Sequence, residues 1–389
     1  MRRQLSRLHR LLIPGWVAGT LASGTAAAQP PHHPVNFSFF FPISTNRNPE
    51  ISTNFRLNLL YGQVGAVRGV DLGGVVARCD HDFRGAEIAG GVSVIGGELR
   101  GAAYTGGLSY VRSDVRGAQA AGLVNFDRGR LWGFQYASLF NYIEKGFVGV
   151  QFTGMYNLNN GDGRYLQIAS VVNANAGAFV GAQLTAGINF TNASLRGAQI
   201  GLFSFADSLQ GVQVGLANIS RQAHGAQIGV LNVAHRLDGV PFGAVNLVDE
   251  GGEANWIALG SNLAAFSAGA RTAFRGYYSM LTAGIGDVQE ERWDSVFLGW
   301  HYGYAFDLGR TWALDTDLGF EHIIPQTNGN PGENDRLHFA LQARALAEAR
   351  LSKSIRLFAG TGLSAILSEY SSKAHTDWDP LFVAGISVD

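Results

Sequence analysis

The segment Gly211-Val212-Gln213-Val214-Gly215-Leu216-Ala217-Asn218 decides the fold, because it is the clearest copy of a unit repeated along the middle of the chain. The unit reads apolar-x-Gly-x-Gln-apolar-x-Gly-apolar-x-Asn, and its glutamines recur every 16 residues and then every 14. About twelve copies run from Gly69 to Asp249; Asp71, Glu87 and Ala103 take the Gln position in the first, and Pro241 takes it in the last. The glutamines are Gln119, Gln135, Gln151, Gln167, Gln183, Gln199, Gln213 and Gln227.

The alternation within the unit, as at Val212, Val214 and Leu216, is that of a β-strand, and an even period keeps each position on one face. At about 3.3 Å per residue, one unit holds two strands of about five residues and two tight turns. A membrane hairpin needs more than 16 residues, since each spanning strand takes about 9 to 11, and helical repeats take about 33 or more. Residues 69–250 are therefore predicted to form a narrow β-solenoid with one coil per repeat.

The rows of Gln and Asn are predicted to be structural, because stacked identical amides can hydrogen-bond from one coil to the next. A row that binds a ligand is the alternative. Pro241 has no N–H to donate to a following coil, which suits the last coil of the stack.

The repeat stops after Glu250, where alternating runs of about 11 to 15 residues begin. Strands in soluble proteins usually have about five or six residues. In Ser295–Asp307, large apolar side chains alternate with small or polar ones. Long strands with one apolar face indicate an antiparallel outer-membrane-type β-barrel over residues 251–389. The alternative is a soluble β-sandwich with one wet face.

The strand count predicts eight strands and the side on which the solenoid lies. Seven fall near 256–266, 271–285, 294–307, 311–323, 336–350, 354–368 and 381–388, and Thr53–Gln63, in the N-terminal segment 29–68, is taken as the eighth. An even count puts both chain ends in the periplasm, so the solenoid would lie between strands one and two, on the outer side. Merging two strands at Ala265–Gly276 would move it to the periplasm.

The connections between these strands alternate in length, as the outer loops and periplasmic turns of such barrels do. Three are predicted to be long, Gly286–Asp294, Pro325–Asp335 and Ser371–Pro380. Two are predicted to be short, Asp307–Arg310 and Leu351–Ser354.

Residues 1–28 have the basic start, short apolar stretch and Ala-x-Ala end of a secretory signal peptide, with cleavage expected after Ala28. The chain has 389 residues, 52 of them Gly, and one Cys, which excludes a disulfide framework. A net charge of -1 gives no electrostatic basis for binding nucleic acid.

The repeat run, preceded by Phe55-Arg56-Leu57-Asn58-Leu59-Leu60-Tyr61-Gly62, resembles a family of bacterial surface repeat-containing proteins of diderm bacteria. The resemblance covers roughly residues 52–250. It implies exposure at the cell surface and supplies no active site. The stacked units are also similar in architecture to the β-roll heads of trimeric autotransporter adhesins, but this chain has no heptad stalk.

No catalytic, cofactor-binding or metal-binding residue is predicted. Cys79-Asp80-His81-Asp82 is the densest cluster of potential ligands, but adjacent residues of an extended chain point to opposite faces. Asn159-Asn160-Gly161-Asp162-Gly163 is predicted to be a plain turn, because it lacks the Glu of a calcium loop. A third set of ionisable residues is predicted to pair inside the barrel as a structural network. It comprises Asp315, Asp317, Glu321, His338, Arg344, Glu348 and Arg350.

These patterns favour a non-enzymatic outer-membrane surface protein, in which a small barrel anchors a solenoid for structural or adhesive contact. Its expected partners are outer-membrane lipid and a matrix, host or cell-surface ligand, without nucleic acid; the oligomeric state stays open. The alternatives are a soluble periplasmic repeat protein and an outer-membrane enzyme or transporter that uses the barrel interior.

Overall fold

The computed structural model describes residues 31–286, 295–325, 338–370 and 373–389. It is all-β, 79% strand, with a β-solenoid of about 11 turns followed by a closed eight-stranded antiparallel barrel, as the sequence predicts. The signal-peptide prediction falls outside the described residues.

The solenoid contains twenty strands, numbered here in chain order. They are β1 (Val35–Phe40), β2 (Ile43–Ser44), β3 (Ser52–Val64), β4 (Ala66–Gly73), β5 (Val76–Cys79), β6 (Phe83–Ala89), β7 (Val92–Ile95), β8 (Leu99–Thr105), β9 (Leu108–Val111), β10 (Val115–Ala121), β11 (Val124–Asp127), β12 (Leu131–Ala137), β13 (Phe140–Ile143), β14 (Gly146–Thr153), β15 (Tyr156–Asn159), β16 (Asp162–Ala169), β17 (Val172–Asn175), β18 (Phe179–Thr185), β19 (Ile188–Ile200) and β20 (Phe203–Val248).

Each 16-residue coil of the central part has a long strand and a short strand, such as β10 with seven residues and β11 with four. Long strands pair in parallel with the long strands of adjacent coils, and short with short. The register matches the repeat, since Gln119 lies opposite Gln135 and Asn125 opposite Asn141. In the 14-residue coils the turns tighten so far that β20 runs through them without a break.

The alternation in these strands places the polar residue inside. Gln213 is fully buried, whereas Leu216 is half exposed and Val212 and Val214 lie on the outer surface. A second interior row is apolar and stacks along the solenoid at four residues before each Gln position. It includes Val67, Phe83, Leu99, Val115, Leu131, Phe147, Phe179, Leu195 and Leu209. The core therefore has a polar column beside an apolar one.

The Gly two residues before each Gln allows the coils to stack closely. Gly133 has φ 137°, and a Cβ placed on it would overlap the carbonyl oxygen of Gly117 in the coil before. Both facts exclude an ordinary side chain at this position. Tyr165 occupies it in one coil, with φ 91°.

The barrel closes through eight strands, each paired antiparallel with the next, and the last with the first. They are β21 (Gly252–Ser261), β22 (Phe266–Phe274), β23 (Tyr277–Gly286), β24 (Ser295–Asp307), β25 (Trp312–Pro325), β26 (His338–Arg350), β27 (Ile355–Tyr370) and β28 (Lys373–Val388).

The prediction that Thr53–Gln63 supplies a barrel strand is wrong. This segment lies in β3, which pairs in parallel with β1, β4 and β5 inside the solenoid. The eighth barrel strand comes instead from the region 252–286, which holds three strands where two were predicted, separated at residues 262–265 and 275–276. All eight strands therefore follow the solenoid.

The facing of the barrel strands agrees with prediction, since Phe297 and His301 are buried inside while Leu298 and Phe306 are exposed outside. The turns at 275–276, 308–311 and 351–354 have two to four residues, and β21 begins and β28 ends at that end, called here the short-turn end; the turn 262–265 at the opposite end also has four residues. The predicted loop Ser371–Pro380 is wrong, because β28 begins at Lys373, opposite Tyr370. Residues 287–294 and 326–337 lie outside the described residues.

Candidate functional site

The Gln row forms a continuous column of side-chain hydrogen bonds inside the solenoid. The amide nitrogen of Gln167 donates to the side-chain oxygen of Gln151 at 3.0 Å, and the amide of Gln183 donates to Gln167 at 2.8 Å. All three side chains are fully buried. Each amide thus satisfies its neighbours, as the structural interpretation of the row predicts.

The Asn row forms a second column with a different partner set. Asn141 donates to the side-chain oxygen of Asn157 at 3.0 Å and to the backbone carbonyl of Phe152 at 2.9 Å. The same two bonds recur two coils further on, where Asn173 donates to Asn189 and Leu184. Each Asn therefore joins the short strand of its coil to the long strand of the next.

Charges replace the amides at the N-terminal end of the column. Buried Arg56 forms a bidentate ion pair with buried Asp71, and its guanidinium also donates to the carbonyl of Arg78 at 2.7 Å. Glu87, in the next coil, accepts from the hydroxyl of Ser93 at 2.9 Å. Burial and the nearby charge of Asp71 raise the pKa of Glu87 to about 8.

Asp127 is a further buried carboxyl that touches the column. It accepts from the amides of Gln119 at 3.0 Å and Gln135 at 2.8 Å. Burial raises the pKa of Asp127 to about 8, although its hydrogen bond from Gln119 acts in the opposite direction. Sequence reasoning did not single out this residue, whose position in the unit is apolar in the neighbouring coils, at Val111 and Ile143.

The potential metal ligands in Cys79–Asp82 do not converge on one point. Cys79 is buried and contacts the backbone carbonyls of Gly65, His81 and Asp82 at 3.5 Å, and burial raises the pKa of its thiol to about 12. Asp80 pairs with Arg78 at 2.6 Å instead. In the described part of the chain, no three His, Cys, Asp or Glu side chains lie close enough to hold a metal ion.

The segment Asn159–Gly163 joins β15 to β16 as a turn, as predicted. Within it, the side-chain nitrogen of Asn159 donates to the carbonyl of Gly161 at 2.9 Å. The Asp162 carboxylate accepts from the backbone N–H of Ala178, in the next coil, at 2.9 Å. These side-chain oxygens and nitrogens therefore satisfy the backbone of the turn.

The charged residues of the barrel meet in its interior, as predicted. Arg271 pairs with Glu348 at 2.8 Å and with Asp315 at 3.0 Å. Arg344 binds Asp317 through two hydrogen bonds of 2.8 and 3.0 Å. Sequence reasoning missed Arg271, because a break between two strands was not recognised beside it.

A second layer of this network surrounds Asp317. The hydroxyl of Tyr278 donates to Asp317 at 2.7 Å, and the ring of His301 lies 3.4 Å from Asp317 and 3.7 Å from Glu321. Gln342 donates to Glu321 at 2.8 Å. The side chain of His338, also predicted to belong to this network, lies outside what the structure describes.

The interior is filled by these side chains. His301 is fully buried, and a Cβ added to Gly319 would overlap its ring. Arg271 lies over the ring of Tyr278, with its guanidinium carbon 4.1 Å from the ring centroid. Buried charges that pair with one another suit a structural core better than a substrate site.

The junction between the two parts is a site that the sequence did not reveal. Three hydroxyls on the outer barrel wall bind the backbone of the last coil. Tyr302 donates to the carbonyl of Pro241 at 2.8 Å, and Ser279 donates to that of Ala244 at 2.8 Å. Thr272 accepts from the N–H of Asn246 at 3.1 Å. Thr272, Ser279 and Tyr302 lie in one row across three adjacent strands.

Aromatic and ionic contacts complete the junction. The ring of Phe242 lies 4.6 Å from that of Tyr302 and 5.9 Å from that of Trp300, centroid to centroid. Asp238 pairs with Arg275, in the short turn after β22, at 2.8 Å. The wall thus covers part of the backbone edge that the last coil would otherwise leave unpaired.

Within the described residues, no helix is both long enough and apolar enough to cross a bilayer. Comparison with family models, with curated proteins and with solved structures finds no match for this chain.

Proposed function

We propose that this chain is a non-enzymatic outer-membrane protein whose barrel anchors the solenoid at the membrane. The observation that carries the proposal is the polarity of the barrel, which is charged inside and apolar outside. Buried ion pairs such as Arg344 with Asp317 fill the interior. Soluble proteins have the opposite arrangement, whereas transmembrane barrels turn an apolar band to lipid.

The apolar wall extends round the barrel and is too large for an ordinary water-exposed surface. Leu318 is 71% exposed on β25, and every strand of the wall carries exposed aromatic or aliphatic side chains. These include Trp256, Phe266, Leu281, Leu298, Phe320, Leu341, Leu363 and Phe382. The alternative of a soluble repeat protein would leave all of them in water.

The packed interior supports an anchor rather than a transporter or an enzyme. An eight-stranded barrel has just enough room for its own side chains. Here the fully buried His301 and the paired Arg271 and Arg344 occupy that room.

The short-turn end indicates on which side the solenoid lies. In bacterial barrels the short turns face the periplasm and the longer loops face the outside. The first barrel strand begins at Gly252 and the last barrel strand ends at Val388, both at the short-turn end, so the solenoid joins the barrel there. We therefore propose the periplasmic side for the solenoid, because the cell-surface expectation rested on a barrel strand at Thr53–Gln63 that belongs to the solenoid.

Leu298→Arg tests membrane embedding, because Leu298 is exposed on the wall four residues further from the short-turn end than Tyr302. In lipid, the change should cost about 2–4 kcal/mol near mid-membrane and reduce the heat-modifiable, folded band in the outer-membrane fraction. Leu308→Arg is the matched control, since Leu308 is also exposed but lies in a short turn. Equal yields of the two variants would contradict a lipid-facing wall, because a water-exposed Leu tolerates Arg.

The side is tested with single cysteines in a Cys79→Ala background. Arg130→Cys on the exposed turn before β12 should react with a membrane-impermeant maleimide only after the outer membrane is permeabilised. Ala265→Cys, in the exposed turn at the opposite end of the barrel, should react in intact cells. Labelling of Arg130→Cys in intact cells would put the solenoid on the cell surface.

A further inference from the structure

The two turns of each coil differ in polarity along the whole solenoid. The turn from the long strand to the short strand is called here the apolar corner, and it contains no charged residue in any coil. Leu139 and Leu216 are exposed there. The apolar corner comprises residues 74–76, 90–92, 106–108, 122–124, 138–140, 154–156, 170–172, 186–188, 201–203, 215–217, 229–231 and 243–245.

The opposite turn, from each short strand to the next long strand, is called here the charged corner. Its side chains form ion pairs within and between coils, such as Arg116 with Glu98 at 2.8 Å and Arg128 with Glu144 at 3.1 Å. A further pair joins Arg236 to Glu250 at 2.7 Å. The solenoid is therefore amphipathic along its length, although its core carries amides.

The junction fixes which way these corners point. At the charged corner of the last coil, Asp238 pairs with Arg275 in a turn of the short-turn end. Near the apolar corner, Phe242 packs against Trp300. Trp300 lies opposite Leu281, four residues further from the short-turn end than the pair of Tyr277 and Tyr304. The apolar corner thus points toward the middle of the apolar wall.

The height of the junction on the barrel also matches a membrane boundary. Tyr277, Tyr302 and Tyr304 cluster on the outer wall at this level, with ring centroids of adjacent pairs 5.0 to 6.4 Å apart. Further from the short-turn end, the outward positions on β24 are Trp300, Leu298 and Val296. Tyrosines below an apolar band are typical of the interfacial girdle of a membrane barrel.

From this geometry we infer that the apolar corner lies in the lipid of the leaflet at the short-turn end, so that the solenoid extends along the membrane surface. The inference rests on the proposed membrane anchor. The backbone edge of the last coil meets the wall side-on, so the stacking axis runs away from the barrel. About 11 turns at roughly 4.8 Å give a strip about 50 Å long.

Lipid is the occupant that these observations favour over a second copy of the chain. The strip continues the apolar wall at the level where the tyrosines lie, and it is free of charge over its whole length. The charged corner faces away from the bilayer, as the polar face of an interfacial element does.

The test uses the full chain with Cys79→Ala, reconstituted into phosphatidylethanolamine and phosphatidylglycerol vesicles. Cysteines replace Leu139 on the apolar corner, Arg130 on the charged corner or Leu318 on the wall, and each carries an environment-sensitive fluorophore. Doxyl-labelled phospholipid should quench the label at Leu139 about as much as at Leu318, and several-fold more than at Arg130. A second apolar-corner position, Val75, should be quenched like Leu139, because the strip lies along the membrane.

The outcomes separate the inference from the proposed anchor. Quenching at Leu318 without quenching at Leu139 would overturn the inference and leave the barrel in the membrane. Absence of quenching at Leu318 would overturn the anchor and the inference together. A blue-shifted but unquenched label at Leu139, together with disulfide cross-linking between copies of Leu139→Cys, would overturn the inference. It would show that a second copy of the chain, not lipid, covers the apolar corner.

Discussion

The hydroxyl of Tyr302, on the outer wall of the barrel, donates a hydrogen bond of 2.8 Å to the carbonyl of Pro241 in the last coil of the solenoid. Proline offers no backbone N–H, so this bond satisfies the backbone polar group that Pro241 turns to the wall. The last residue of the glutamine column therefore also contacts the barrel, and the wall covers part of the backbone edge of the last coil.

Tyr302→Phe should loosen the junction while keeping the ring contact with Phe242. The carbonyl of Pro241 would lose its donor, which costs about 1–3 kcal/mol for a buried group. Hydrogen exchange read by mass spectrometry in detergent should show faster exchange in residues 239–248 and no change in 119–135. Tyr304→Phe is the control, since its ring packs on Tyr277 and Phe306. Identical exchange in both variants would rule out the junction bond as a stabilising contact.

Gln167→Leu should destabilise the solenoid by roughly 2–4 kcal/mol, because it leaves the amide of Gln183 and the oxygen of Gln151 without their partners. Gln210→Leu makes the same chemical change at an exposed position, where Gln210 accepts from Arg196 at 3.0 Å. That control should change the free energy of unfolding by less than about 0.5 kcal/mol. Denaturant titration followed by circular dichroism compares the two. If the Gln row had no structural role, the Gln167→Leu and Gln210→Leu variants would have similar free energies of unfolding.

Asp127→Asn should remove one component of the pH dependence of stability. The pKa of Asp127 is about 8 in the folded chain and about 3.9 when unfolded, so the folded state holds the extra proton between these values. Stability then falls as the pH rises, by up to about 1.4 kcal/mol per pH unit. Asn159 and Asn175 occupy the same place in later coils, so an amide fits the row.

The free energy of unfolding of the Asp127→Asn variant should therefore improve relative to the parent chain from pH 5 to pH 8. Unfolding titrations at several pH values measure this difference. A difference that stays constant over that range would show that Asp127 is ionised in the folded state.

Arg344→Met should prevent the barrel from folding efficiently, because Asp317 would keep a buried charge without its main partner. Breaking a buried pair in this way costs about 3–5 kcal/mol. The double variant Arg344→Met with Asp317→Asn should recover part of the loss, since the unpaired charge is also removed. The fraction of heat-modifiable protein after refolding into detergent is the readout. A double variant no better than the single one would mean that the pair does not stabilise the core.

The spacing of the glutamines was enough to predict the solenoid, because a period of 14 or 16 residues admits few other folds. The alternation in Ser295–Asp307 likewise predicted which barrel residues face inward, since side chains of a strand point to opposite faces. The error at Thr53–Gln63 arose because an alternating strand looks the same in a solenoid as in a barrel. Only the strands paired with Thr53–Gln63 distinguish the two folds. The alternation within the segment does not specify that it pairs with β4.

The sequence by itself determined the repeat, the amide columns and the charged interior of the barrel, because each follows from local periodicity and the cost of burying unpaired polar groups. The tertiary structure decided the junction, in which Thr272, Ser279 and Tyr302 bind the last coil. It also decided that the apolar corner of the last coil points toward the middle of the apolar wall. Such relationships depend on the packing of two rigid parts, which no spacing within either part encodes.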